Sequence, residues 1–105
     1  MATAYKFAQV VGTASTGTFS TLYTTPASTE AVISTIAVTN QSGSAVTLRI
    51  GLMGTAGTPA SSEYLVYDAA LAGNDTVALT LGVTMDAGKF IRVSSSAATC
   101  NFTAF

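Results

Sequence analysis

Hydrophobic and polar positions alternate in short runs along this chain. The clearest run is 45–53, where Val46, Leu48, Ile50 and Leu52 alternate with Thr47, Arg49, Gly51 and Met53, the period-two pattern of a strand with one buried face. Residues 31–40 carry Val32, Ile33, Ile36 and Val38 among Ser34, Thr35 and Thr39, and are β-branched nearly throughout. Both runs read as strands. The linker 41–44 holds Gly43, which can supply the positive φ of a tight reversal, so the two runs are expected to pair antiparallel as a hairpin at the centre of the core. Burying Val46, Leu48, Ile50 and Leu52 is worth roughly 1.5 to 3 kcal/mol each before chain entropy is subtracted.

The same alternation, broken by Gly, Pro, Ser and Asn clusters, predicts six further strands. Residues 4–11 place Tyr5, Phe7 and Val11 on one side and Lys6, Ala8 and Val10 on the other, ahead of a loop at 12–18. Residues 19–24 form a second strand that ends at Thr25 and Pro26, since proline removes a ladder donor and restricts its predecessor. Beyond the loop 54–62, strands are expected over 63–68, 77–81, 89–95 and 99–105, the second of them after the turn at Gly73, Asn74 and Asp75. Only the Ala-rich stretch 68–72 invites a single helical turn. Short strands about ten residues apart, with no helical periodicity, predict an all-β fold: one antiparallel β-sandwich domain over residues 1–105, about eight strands, jelly-roll or Ig-like.

Composition narrows what such a domain does. The chain has 105 residues, enough for one core without metals or disulfides, and is 49% hydrophobic but only 9% charged. The usual charged share is about 25%, so this surface is read as one meant to be packed against other subunits; a secreted β domain with a Ser/Thr surface is the plainer alternative. Net charge is -1 and the basic residues are Lys6, Arg49, Lys89 and Arg92, too few and too scattered to track a phosphate backbone. No nucleic acid partner is expected. No apolar run approaches the length of a membrane span, and residues 1–7 lack the pattern of a signal peptide, so folding in a cytoplasm is expected and no membrane partner. The lone Cys100 agrees with that compartment.

A search for chemistry yields little. Without histidine, the Ser-His-Asp and Cys-His constellations and histidine-bearing zinc sites are excluded. Cys100 sits in an alternating apolar run and reads as a small buried hydrophobe. Gly12 and Gly17 have phosphate-loop spacing, but Thr18 and Phe19 stand where Lys and Ser/Thr are required. Asp68, Asn74, Asp75 and Asp86 fit no calcium-loop spacing and read as turn residues. Triplets beginning at Asn40, Asn74 and Asn101 match the glycosylation pattern by chance in so Ser/Thr-rich a chain. Tyr5, Tyr23, Tyr64 and Tyr67 could stack on sugar rings if exposed together, against the commoner role of strand aromatics with buried rings. Neither enzymatic activity, metal nor cofactor is expected.

Four segments carry a resemblance: 22–32 with Leu22, Tyr23, Pro26 and Glu30; 64–76 with Tyr64, Tyr67, Asp68, Asn74 and Asp75; 81–93 with Leu81, Met85, Gly88 and Val93; and the ending Asn101 to Phe105. Together they resemble the small virion structural proteins of tailed bacteriophages, cyanophages especially. The resemblance implies a part of the virion that decorates the capsid or sits on the tail, with no catalytic residues. A capsid decoration or cement protein is expected first, a homotrimer bound to the major capsid protein or other virion subunits. Its candidate interface is at the chain ends, Tyr5, Phe7, Val11, Phe102 and Phe105, where strand edges are expected to be free. The alternative is a tail, collar or fibre module that presents the loop 51–62 to a host surface glycan.

Overall fold

A computed structural model describes residues 8–13, 15, 17–54 and 57–105, without the side chain of Leu81. Eight strands follow in order: β1 (Ala8–Val11), β2 (Ser20–Thr24), β3 (Ala31–Asn40), β4 (Val46–Met53), β5 (Tyr64–Leu71), β6 (Thr76–Met85), β7 (Phe90–Ser95) and β8 (Cys100–Ala104). They form two four-stranded sheets, a front sheet ordered β1-β8-β3-β6 and a back sheet ordered β2-β7-β4-β5. The pairs β1·β8, β2·β7, β3·β6 and β4·β5 are all antiparallel. The chain is thus one long hairpin, folded at the β4–β5 connection and rolled so that its successive rungs alternate between sheets. This is a jelly roll, and it decides between the two expected sandwich topologies, because an Ig-like sandwich does not nest its pairs this way.

That order corrects the expected central hairpin. β3 pairs with β6 and β8, β4 pairs with β5 and β7, and the two face each other from opposite sheets. Residues 41–44 therefore cross between layers. What holds the crossing is Asn40, 1% exposed. Its Nδ2 donates to Ser44 O at 2.8 Å and Ala72 O at 3.1 Å, and its Oδ1 accepts from Ser42 N at 3.0 Å and Thr99 Oγ1 at 3.1 Å. One side chain thereby ties three interstrand connections together. Its burial also leaves the Asn40 triplet out of reach of a glycosylating enzyme.

The core lies between the sheets. Ile36, Val38, Cys100 and Phe102 from the front sheet meet Leu48, Ile50, Ile91 and Val93 from the back, all at 2% exposure or less. Cys100 is thus the buried small residue expected, and burial pushes its thiol pKa up against a hydrogen bond with Ser95. Leu52 stays in register opposite Ile91 but is half-buried, while Met53 is buried. The helical turn expected at 68–72 is absent: Leu48, Thr47 and Val46 pair with Ala69, Ala70 and Leu71, and a lone turn has no means of repaying its nucleation cost against that ladder. A 3-10 turn, η1 (Ser61–Glu63), forms instead just before β5. Ahead of it the buried Pro59 lies on Gly51, where any Cβ would overlap the proline ring.

Candidate functional site

The outer faces of the two sheets are the surfaces on which function can sit, and they are built from different residues. In the front sheet the register aligns three rows across the strands: Val11, Asn101, Thr39 and Thr76; then Gln9, Thr103, Ala37 and Ala78; then Phe105, Thr35 and Thr80. Not one residue of β1, β3, β6 or β8 is Asp, Glu, Lys or Arg. Polar side chains there satisfy one another along the rows, Gln9 Nε2 donating to Thr103 Oγ1 and Thr76 Oγ1 to Thr39 Oγ1, each at 3.3 Å. Val11, Val32 and Phe105 stand 58%, 64% and 52% exposed on this sheet. The result, over the described residues, is an uncharged Thr/Ala surface dotted with apolar groups.

Among the described residues, all in-strand charge lies on the back sheet. Arg49 of β4 forms a bidentate pair with Asp68 of β5, Nε to Oδ1 at 2.6 Å and Nη2 to Oδ2 at 3.1 Å. The pairing is possible because β5 bulges opposite Arg49, with Asp68 at φ +53°, a conformation Asp tolerates better than most residues. The guanidinium also lies 4.2 Å from the Tyr67 ring centroid, and Tyr67 meets Tyr64 edge-on at 4.8 Å, with Phe19 beyond at 6.1 Å. Hydrogen bonding to Asp68 raises the Arg49 pKa, and the same bond to Arg49 holds the Asp68 carboxyl below its ordinary range. Arg92 is structural: it donates to Gly57 O, Thr21 Oγ1 and Phe19 O, pinning the loop after β4 to the start of β2.

No family model, curated protein or solved structure matches this chain. Its surfaces therefore have to be read from their own chemistry.

Of the expected interface residues, Val11 and Phe105 are exposed, and Tyr5 and Phe7 lie outside the described residues. Phe102 is corrected: it is 0% exposed on β8, which runs between β1 and β3, so the last strand is not a free edge. Its alternation was right, but alternation does not say which strands flank it. Of the four tyrosines, Tyr64 and Tyr67 come together, Tyr23 packs against the core, and Tyr5 is not described. Asp68, Asn74, Asp75 and Asp86 are dispersed over a strand and two turns, and among the described residues no three His, Cys, Asp or Glu side chains converge. A cavity of about 260 Å³ opens at one end of the sandwich, lined by Leu52, Met53, Val83, Met85 and Phe90 with Asp86 and Lys89 at its border.

Proposed function

We propose that this chain is a structural subunit of a bacteriophage virion, a capsid decoration or cement protein that lies on the head shell and binds the major capsid protein or other virion subunits. The observation that carries the reading is the outer face of the front sheet, free of charge over its described strands. A surface left permanently in water is normally about 25 to 35% charged, whereas one that spends its life apposed to protein gains by having no ions to desolvate. Once bound to the shell, a trimer at a three-fold position, with Val11 and Phe105 at its contacts, is the assembly that accords with this role. Adding charge to that face tests it. Thr103→Lys and Thr39→Glu, on half-buried side chains of the outer rows, should leave the fold intact and abolish rebinding to stripped particles. Rebinding at wild-type level by both variants would remove the basis for the reading.

The Arg49, Tyr64, Tyr67 and Asp68 cluster favours a second reading, a tail or fibre module that holds a host surface glycan. Tyr67 is 60% exposed, and a sugar could stack on its ring while its hydroxyls donate to Asp68. Relative to the loop 51–62 expected from the sequence, this moves the contact onto β5. Counting copies per particle separates the readings, since a head protein is present in hundreds and a tail module in a few to tens. Loss of glycan binding in Tyr67→Ala, with head rebinding unaffected, is the outcome expected of the second.

A further inference from the structure

We propose that the β6 edge is a two-fold pairing site for a second copy of this chain, joining two front sheets into one continuous antiparallel sheet. The inference concerns the free protein and stands whether or not the partner particle is a phage head.

The four edge strands are unequally protected. β1 lies against β2, and β2 spans five residues, shifts register between Thr21 and Tyr23, and runs into Pro26. β5 shifts register twice and carries the Arg49–Asp68 ion pair beside its bulge. These are the devices by which sheets avoid unwanted pairing. β6 is ten residues long, without charge or proline, and holds an unbroken register on β3 from Thr76 to Thr80. Its irregularity comes only afterwards, where the register shifts near Gly82 at φ +83°.

The direction of its hydrogen-bonding groups follows from its neighbours. Thr35 exchanges both backbone bonds with Phe105, and Asn40 N donates to Asp75 O, so from Thr35 to Asn40, beyond the register shift at Ser34, the odd positions of β3 face β8 and the even ones face β6. Val77 and Leu79, opposite Val38 and Ile36, therefore point their backbone at β3. Thr76, Ala78 and Thr80 point theirs out of the sheet. Asp75 Oδ1 takes the N–H of Thr76, which closes that end and leaves Ala78 and Thr80 without a backbone partner on that side among the described residues.

A strand-shaped partner is required by that backbone, and the sequence 76–80, Thr-Val-Ala-Leu-Thr, reads nearly alike in both directions. About a two-fold axis at Ala78, Thr76 faces the second copy's Thr80, Ala78 faces its own equivalent without steric conflict, and Val77 faces Leu79. Thr–Thr and β-branched cross-strand pairs are favourable, and no like charges oppose. The inward side gains as well: Val77 and Leu79 are only half-buried, unlike Val38 and Ile36 at 0% beside them. Pairing would finish their burial.

Two variants test this on the full chain. In Ala78→Cys the paired Cα atoms would stand about 5.5 Å apart, within the roughly 4.4 to 6.8 Å that a disulfide spans. Cys100 is buried and does not compete. Mild oxidation should therefore give a covalent dimer. Wild-type chain should show twice the chain mass by light scattering, and Ala78→Lys, on an exposed side chain, should return it to the monomer with an unchanged circular dichroism spectrum. Thr103→Lys, on the same face but away from the edge, should remain dimeric. A wild type that stays monomeric, a dimer indifferent to Ala78→Lys, or an oxidised Ala78→Cys that forms no crosslink would each overturn the proposal.

Discussion

The two sheets share a core and differ on their outer faces. Inside, each contributes a row of Ile, Val, Leu or Phe at or near zero exposure; outside, the back sheet holds its charge in paired, stacked groups while the described strands of the front sheet hold none. Burial sets the inner faces alike, because stability in a two-layer domain comes from apolar area removed from water whichever strand supplies it. Nothing about stability requires the outer faces to differ. Their difference is therefore what the proposed contact with a partner rests on.

The largest effects should come from the shared interior, where the sheets ought to be indistinguishable. Phe102→Ala in the front sheet should cost about 3 to 5 kcal/mol, and Ile50→Ala in the back sheet about 2 to 5 kcal/mol, since each removes transfer energy and leaves a cavity. Urea denaturation monitored by circular dichroism measures both. A front-sheet variant as stable as wild type would mean that the two layers do not share one core.

Next in size is the node that holds the layers in sequence order. Asn40→Ala leaves several part-buried donors and acceptors around residues 42–44, 72 and 99 without their partner, for about 1 to 3 kcal/mol. Asn40→Asp should be worse, because it sets a carboxylate against the carbonyls of Ser44 and Ala72. If Asn40→Asp were as stable as wild type in the same denaturation experiment, the hydrogen-bond assignment at this node would be wrong.

Asn40 also marks where sequence reading ran out. Strand positions were legible because alternation is local: 31–40 and 45–53 were placed within a residue, and 99–105 contains β8. Pairing was not, since β3 and β4 each bury one face whether they lie side by side in one sheet or face each other from two. The choice is made by β6 and β8, more than thirty residues beyond β3, and by the side chain of Asn40, which stood in the sequence only as the last residue of a strand. The uncharged front face was likewise visible as sparse charge overall, but its confinement to one sheet emerges only from strand order. The Tyr64, Tyr67 and Arg49 cluster needed the bulge at Asp68, and no period-two reading foresees a bulge.

A smaller effect sharpens the contrast between inner and outer positions on one strand. Thr47→Ala should change stability by no more than about 0.5 kcal/mol, whereas Leu48→Ala should cost about 2 to 5 kcal/mol. Thr47 N is also held by Ser96 Oγ at 3.0 Å, an interaction the substitution leaves in place. Equal losses from the two substitutions would show that β4 has been assigned the wrong face.

The smallest effect belongs to the charged cluster of the back sheet. Asp68 is exposed and its pair with Arg49 is open to solvent, so exchanging Asp68 for Asn should lower the melting temperature only slightly at neutral pH, and less in high salt. The pH dependence has a definite sign. Hydrogen bonding to Arg49 depresses the folded-state pKa of Asp68 below its unfolded value of about 3.9. The pair's contribution is therefore complete above that unfolded value and fades as pH falls through the depressed folded one. Thermal melts of wild type and Asp68→Asn from neutral to strongly acidic pH should converge at the acid end, with the wild type the more stable above it. A constant gap down to the lowest pH would mean that Asp68 holds its place through packing, and that the back sheet's charge is as incidental to stability as its absence is on the front.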